Sequence, residues 1–174
     1  SPGGGLLKPT GSDGKQADLY TLAEEAGYTV VKTQAEAEQV TGGPVVIIDE
    51  HLADSDAMAY EIDRTDDMWA LADYVEKGIE VLSQDKDGFF MMCEGGKIDW
   101  ACHANDAAAS IHDVLEMSNA VQAAVDFYNA HPNETLILVT GRPRDRRPDH
   151  RLCRHRLRHL SGSAGEPEDL LRQV

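Results

Sequence analysis

Three side chains able to bind a metal ion lie within ten residues in the string EGGKIDWACHAND: Glu94, Asp99 and His103. Asp99 and His103 are four residues apart, so a helical turn there projects both from one face. A carboxylate and an imidazole in that relation are competent zinc ligands. Glu94 closes an apolar run and is a hard oxygen donor suited to magnesium. Gly95 and Gly96, between the two parts, permit a tight turn. The same residues also fit a loop glutamate beside a solvated Asp/His helix pair, since that spacing is common.

The elements that must position these groups follow from hydrophobic pattern and punctuation. QADLYTLAEEAG reads as a short helix ending at Gly27, and YTVVKT as a strand. TQAEAEQVTGG is a helix stopped by Gly42 and Gly43, and PVVIIDE a buried strand. From Asp66, the residues Met68, Leu71, Ala72, Val75, Ile79 and Leu82 recur at helical spacing. GFFMMCE is an apolar strand that delivers Glu94. A long helix is expected from about Asp106 to Pro132, with Ile111, Val114, Leu115, Val121, Val125 and Tyr128 on its apolar face. TLILVT is another apolar strand. Helices alternating with short apolar strands predict an α/β fold. It would be part of a large, mostly parallel sheet with helices on both faces. Chemistry in such sheets sits beyond the carboxyl ends of the strands, where Glu94 stands.

Other candidates have plainer readings. Asp49, Glu50 and His51 follow the strand PVVIIDE and read as an ordinary acidic loop. His112 and His131 read as surface residues. Cys93 reads as a small buried hydrophobe, and Cys102 as structural.

Charge divides the chain. Residues 1–140 carry 7 Lys and Arg against 26 Asp and Glu; residues 141–174 carry 9 against 5. The acidic body is one domain's worth of chain and is unsuited to nucleic acid. No apolar run reaches the roughly 18 residues of a membrane span. The first residues show neither a basic nor an apolar leader region. Three cysteines are too few for a disulfide framework. The segment 141–174 is expected to be a disordered, basic tail. Its first twenty residues hold eight arginines and three histidines but no aromatic side chain for base stacking. His150, Cys153, His155 and His159 fit no familiar zinc spacing. The alternative function is a non-enzymatic acidic α/β binding protein whose basic tail contacts nucleic acid.

The string GFFMMCEGGKIDWACHANDA resembles the alkaline phosphatase family, as do MAYEIDR upstream and ETLILVT downstream. The resemblance covers most of residues 1–140. It implies phosphate monoester hydrolysis through a phosphoserine, with two zinc ions and one magnesium ion. By that resemblance Glu94 binds magnesium, and Asp99 and His103 bind one zinc. Trp100 occupies a position near the phosphate that varies in the family. The resemblance also implies a periplasmic or secreted protein, homodimeric when intact, with a phosphate monoester as its partner and no nucleic acid.

Departures from the family pattern are as informative. The nucleophilic serine's Asp-Ser-Ala string does not occur. Where the family continues its strand into Ala-Asp-His, the ligands of the second zinc, this chain has Gly141, Arg142 and Pro143. Codons for GRPRDRRP, read one base later, can encode Ala-Asp-His-Glu-Thr-Gly-Gly. The expectation is a fragment, out of frame after Thr140 and inactive by itself. Its apolar strands are expected to lack neighbours.

Overall fold

The computed structural model describes residues 8–53 and 57–141. Of the segment 141–174, expected to be disordered and out of frame, residues 142–174 lie outside the described residues.

Three of the five described helices begin where a side-chain oxygen accepts the first free backbone N–H groups. Asp18 caps α1 (Leu19–Glu25) through Tyr20 and Thr21, and Thr33 caps α2 (Gln34–Gln39) through Glu36. Asp106 caps α5 (Ala107–Ala130) through the amide of Ala109. At α3 (Leu71–Leu82) the Asp73 carboxylate reaches back to the amide of Ala70. The fourth helix, α4 (Gly96–Ala104), ends at Asn105 in the left-handed conformation, φ 57°. Asparagine tolerates that conformation better than most residues.

Strands β1 (Thr29–Val31) and β2 (Val45–Ile47) are parallel, with Thr29 opposite Val45 and Val31 opposite Ile47. The helix α2 connects them, as parallel pairing requires. Val31, Ala37 and Val40 form one small core, against which Val45, Ile47, Trp69 and Val81 pack. A second core joins α3 to α5 through Val75, Ala120 and Ala123, with Leu71, Ile79 and Met91 around them. Among the described residues no helix is long and apolar enough to cross a membrane.

The fold class is the expected α/β type, but the local reading differs in three places. The expected strands GFFMMCE and TLILVT join no ladder among the described residues. A strand's backbone bonds need a neighbour, and the described residues supply none there. The face of α5 is also not the expected one. Its buried residues are Ala109, Ser110, Asp113, Glu116, Ala120 and Ala123, whereas Val114, Leu115 and Tyr128 are exposed. Small side chains let α3 and α4 approach closely, and the two acids accept backbone N–H groups of the adjoining turns. Cys93, expected to be buried, is exposed among the described residues, none of which covers its segment.

Candidate metal centre

Residues 88–94 lead to the site. Met91 rests on the α3–α5 core, and the chain then turns at Gly95. A Cβ added there would come within 3.2 Å of both Ile98 Cδ1 and Met117 Sδ, closer than a side chain normally packs. Glycine leaves room there for both side chains, and α4 starts at the next residue, Gly96. Asp99 falls in the first turn of α4 and His103 in the last. Those placements suit the helix dipole, negative near the N-terminus and positive near the C-terminus.

The structure brings Asp99 and His103 together, with Oδ2 and Nε2 3.5 Å apart. Glu94 points elsewhere. It lines an open cleft together with Gly95, Lys97, Asp49, Glu61 and Arg64. Asp99 and His103 do not line that cleft. Among the described residues no three His, Cys, Asp or Glu side chains converge tightly enough to hold a metal ion. The donor types, an imidazole and carboxylates, are ones that zinc and magnesium accept.

Lys97 fixes the turn between Glu94 and Asp99. It is buried, and its ammonium lies 4.4 Å from the centre of the Tyr60 ring and 4.2 Å from that of Trp100. Such cation–π contacts hold the amine between the two rings. Cys102 Sγ lies 3.5 Å from Ser110 Oγ, which ties α4 to α5. That contact fits a structural cysteine.

Several polar residues around the cleft matter more than sequence reasoning gave them credit for. Asp49 is only 6% exposed, so it is not a solvated loop acid. Its Oδ2 accepts the Tyr74 hydroxyl at 2.8 Å and its Oδ1 accepts the His51 amide at 2.7 Å. Burial, and then the Asp49 carboxylate, push the Tyr74 phenol pKa up. The Arg64 guanidinium donates to both oxygens of Glu61 at 2.7 and 2.9 Å and to the Met68 carbonyl at 3.2 Å. This fork holds the single 3-10 turn Glu61–Asp63, and it raises the arginine pKa further. Asp113 is 9% exposed; Oδ1 accepts the Glu61 amide at 3.4 Å, and Oδ2 is buried with no hydrogen-bond partner among the described residues. Burial raises its carboxyl pKa, against the lowering effects of that amide and of Lys97. The sequence signal for these α5 acids was their place in the alanine stripe 109, 120 and 123.

Comparison with known proteins adds the decisive observation. The sequence profile of the alkaline phosphatase family matches residues 3–145. The chain belongs to the alkaline phosphatase family. Within it, the chain is 33% identical over 129 residues to alkaline phosphatase 3 of Bacillus subtilis (strain 168), covering 74% of this chain and 27% of that protein. It is 38% identical over 78 residues to alkaline phosphatase of Escherichia coli (strain K12), covering 45% and 16%. Its fold matches the crystal structure of a cold-active alkaline phosphatase from the psychrophile Shewanella sp., with TM-score 0.61 at 27% identity. That match covers 75% of this chain and 30% of the other. A magnesium-bound mutant of TAB5 alkaline phosphatase shares the fold at TM-score 0.60 and 23% identity. The chain thus spans between 16% and 36% of the length of these relatives.

Proposed function

We propose that this chain carries part of the metal site of a phosphate monoester hydrolase and is inactive by itself. In this reading Glu94 is the magnesium ligand, and Asp99 and His103 are ligands of one of two zinc ions. The observation that carries it is the Asp99–His103 pair on one face of α4, inside the span matched by the family. When bound, zinc would supply Lewis-acid stabilisation of phosphoryl and leaving oxygens and a lowered pKa for water. The chain's own residues orient the ligands. Asp99 sets the azimuth of the His103 imidazole, and Lys97, held between Tyr60 and Trp100, fixes the turn that separates Glu94 from Asp99.

Inactivity follows from what stands in place of the remaining machinery. No Asp-Ser-Ala nucleophile string is present, and Arg142 and Pro143 occupy the positions of the second-zinc pair. Neither can bind zinc. We read 141–174 as a segment out of frame, so resequencing the gene around codon 141 is expected to give an in-frame Ala-Asp-His. For the intact protein this reading carries a phosphate monoester substrate, a homodimer, and a periplasmic or secreted location.

The test is p-nitrophenyl phosphate hydrolysis by the purified chain with zinc and magnesium present. No chelator-sensitive turnover is expected. Turnover abolished by chelator and restored by zinc would overturn the claim of inactivity.

A further inference from the structure

The chain holds four asparagines, and three of them belong to helices. Asn105 closes α4, and Asn119 and Asn129 lie within α5. The fourth, Asn133, sits in the turn that follows α5, two residues after the cap His131. In that turn the Glu134 amide donates to the His131 carbonyl at 3.2 Å. Asn133, Glu134 and Thr135 together read Asn-x-Thr, with no proline in the middle or directly after. None of the other three asparagines has Ser or Thr two residues on. An Asn-x-Thr triplet is the acceptor for N-linked oligosaccharide, and a glycan is bulky and hydrated, so it needs a surface loop. Short triplets recur by chance; placement is what singles this one out. Residues 131–134 are all exposed. They also precede the amino end of segment 135–140, whereas chemistry in such folds lies beyond the carboxyl ends of strands.

We propose that Asn133 is an acceptor site for an N-linked glycan, with Thr135 as the hydroxyl residue that an oligosaccharyl transferase reads. The inference rests on the secreted location read above and not on the metal ligands. The co-substrate is an oligosaccharide joined to a lipid through a diphosphate. Asn133 Nδ2 forms a bond to the anomeric carbon of that sugar. The bond from the same carbon to the diphosphate oxygen breaks, and the lipid diphosphate leaves with the electron pair. The proton lost from Nδ2 passes to a base of the transferase.

The whole chain is expressed in cultured mammalian cells with a cleavable secretion leader before Ser1 and a known acceptor peptide after Val174. The leader fixes the route, so the outcome does not depend on where the natural protein travels; fractionation of the intact natural protein tests that reading separately. The secreted chain is expected to carry two glycans, one on the peptide and one on Asn133, both removed by peptide N-glycosidase. Asn133→Gln and Thr135→Ala should each lose one glycan, and Thr135→Ser should keep both. The doubly glycosylated chain should show the same helical circular dichroism as Asn133→Gln, since an exposed turn accommodates the sugar. A chain glycosylated on the peptide alone, a second glycan that survives Asn133→Gln, or a glycan on Asn133 that costs helical signal would each overturn the proposal.

Discussion

Asp99 Oδ2 stands 3.5 Å from His103 Nε2, one turn apart on α4, with His103 exposed and Asp99 half-buried. A surface pair of this kind contributes only about 0–1 kcal/mol to stability. Its structural and metal-binding roles can therefore be separated. Asp99→Ala and His103→Ala are expected to leave stability within about 0.5 kcal/mol of the parent. Zinc affinity should fall at least about tenfold, the loss that even outer-shell partners of a metal commonly cause. Calorimetric zinc titration beside thermal melts reads both. Unchanged zinc affinity in both variants would remove the basis for assigning these two ligands.

Asp113 makes a pH-dependent contribution whose sign can be stated. Burial raises its folded pKa above the ordinary carboxylate value of about 3.9. The folded state thus keeps a proton that the unfolded chain releases. The stabilisation is fully present below the unfolded pKa and is lost as pH rises through the folded one. Asp113→Asn removes the titration yet keeps an oxygen for the Glu61 amide. The parent should match the variant near pH 3 to 4 and fall behind it toward pH 7. Melting temperatures over that range check this. A constant difference at every pH would show that the carboxyl does not titrate differently on folding.

What the sequence made legible was local. Thr33 and Asp106 were readable as helix starts, Gly27 as a stop, and Asp99 with His103 as one face of a turn, because each depends on neighbours within four residues. What escaped depends on distant parts. The apolar stripe on α5 pointed to Val114 and Leu115, but close packing against α3 and α4 selected Ala109, Ala120 and Ala123. The strands at 88–94 and 135–140 were readable as apolar segments, while their pairing requires neighbours that the described residues do not include. Asp49 looked like a loop acid because its partner, Tyr74, is 25 residues away.

That last contact gives a test of how far the cleft wall is closed to water. Tyr74 donates its hydroxyl to Asp49 Oδ2 at 2.8 Å, and its ring packs edge-on against Trp69 with centroids 5.1 Å apart. Tyr74→Phe keeps the ring contact and removes only the donor. Asp49, buried, would retain the His51 amide on its other oxygen and lose the phenol donor. A hydrogen bond to a charged group is worth about 1.5–3 kcal/mol, and a carboxylate oxygen left unsatisfied adds to the loss. Urea unfolding should show a lower midpoint at an unchanged slope, the signature of altered native stability. Asp49→Asn made in the Tyr74→Phe background should cost less than Asp49→Asn alone, since the two residues form one unit. A loss below about 0.5 kcal/mol for Tyr74→Phe would mean that water takes the place of the phenol and that this wall of the cleft is wet.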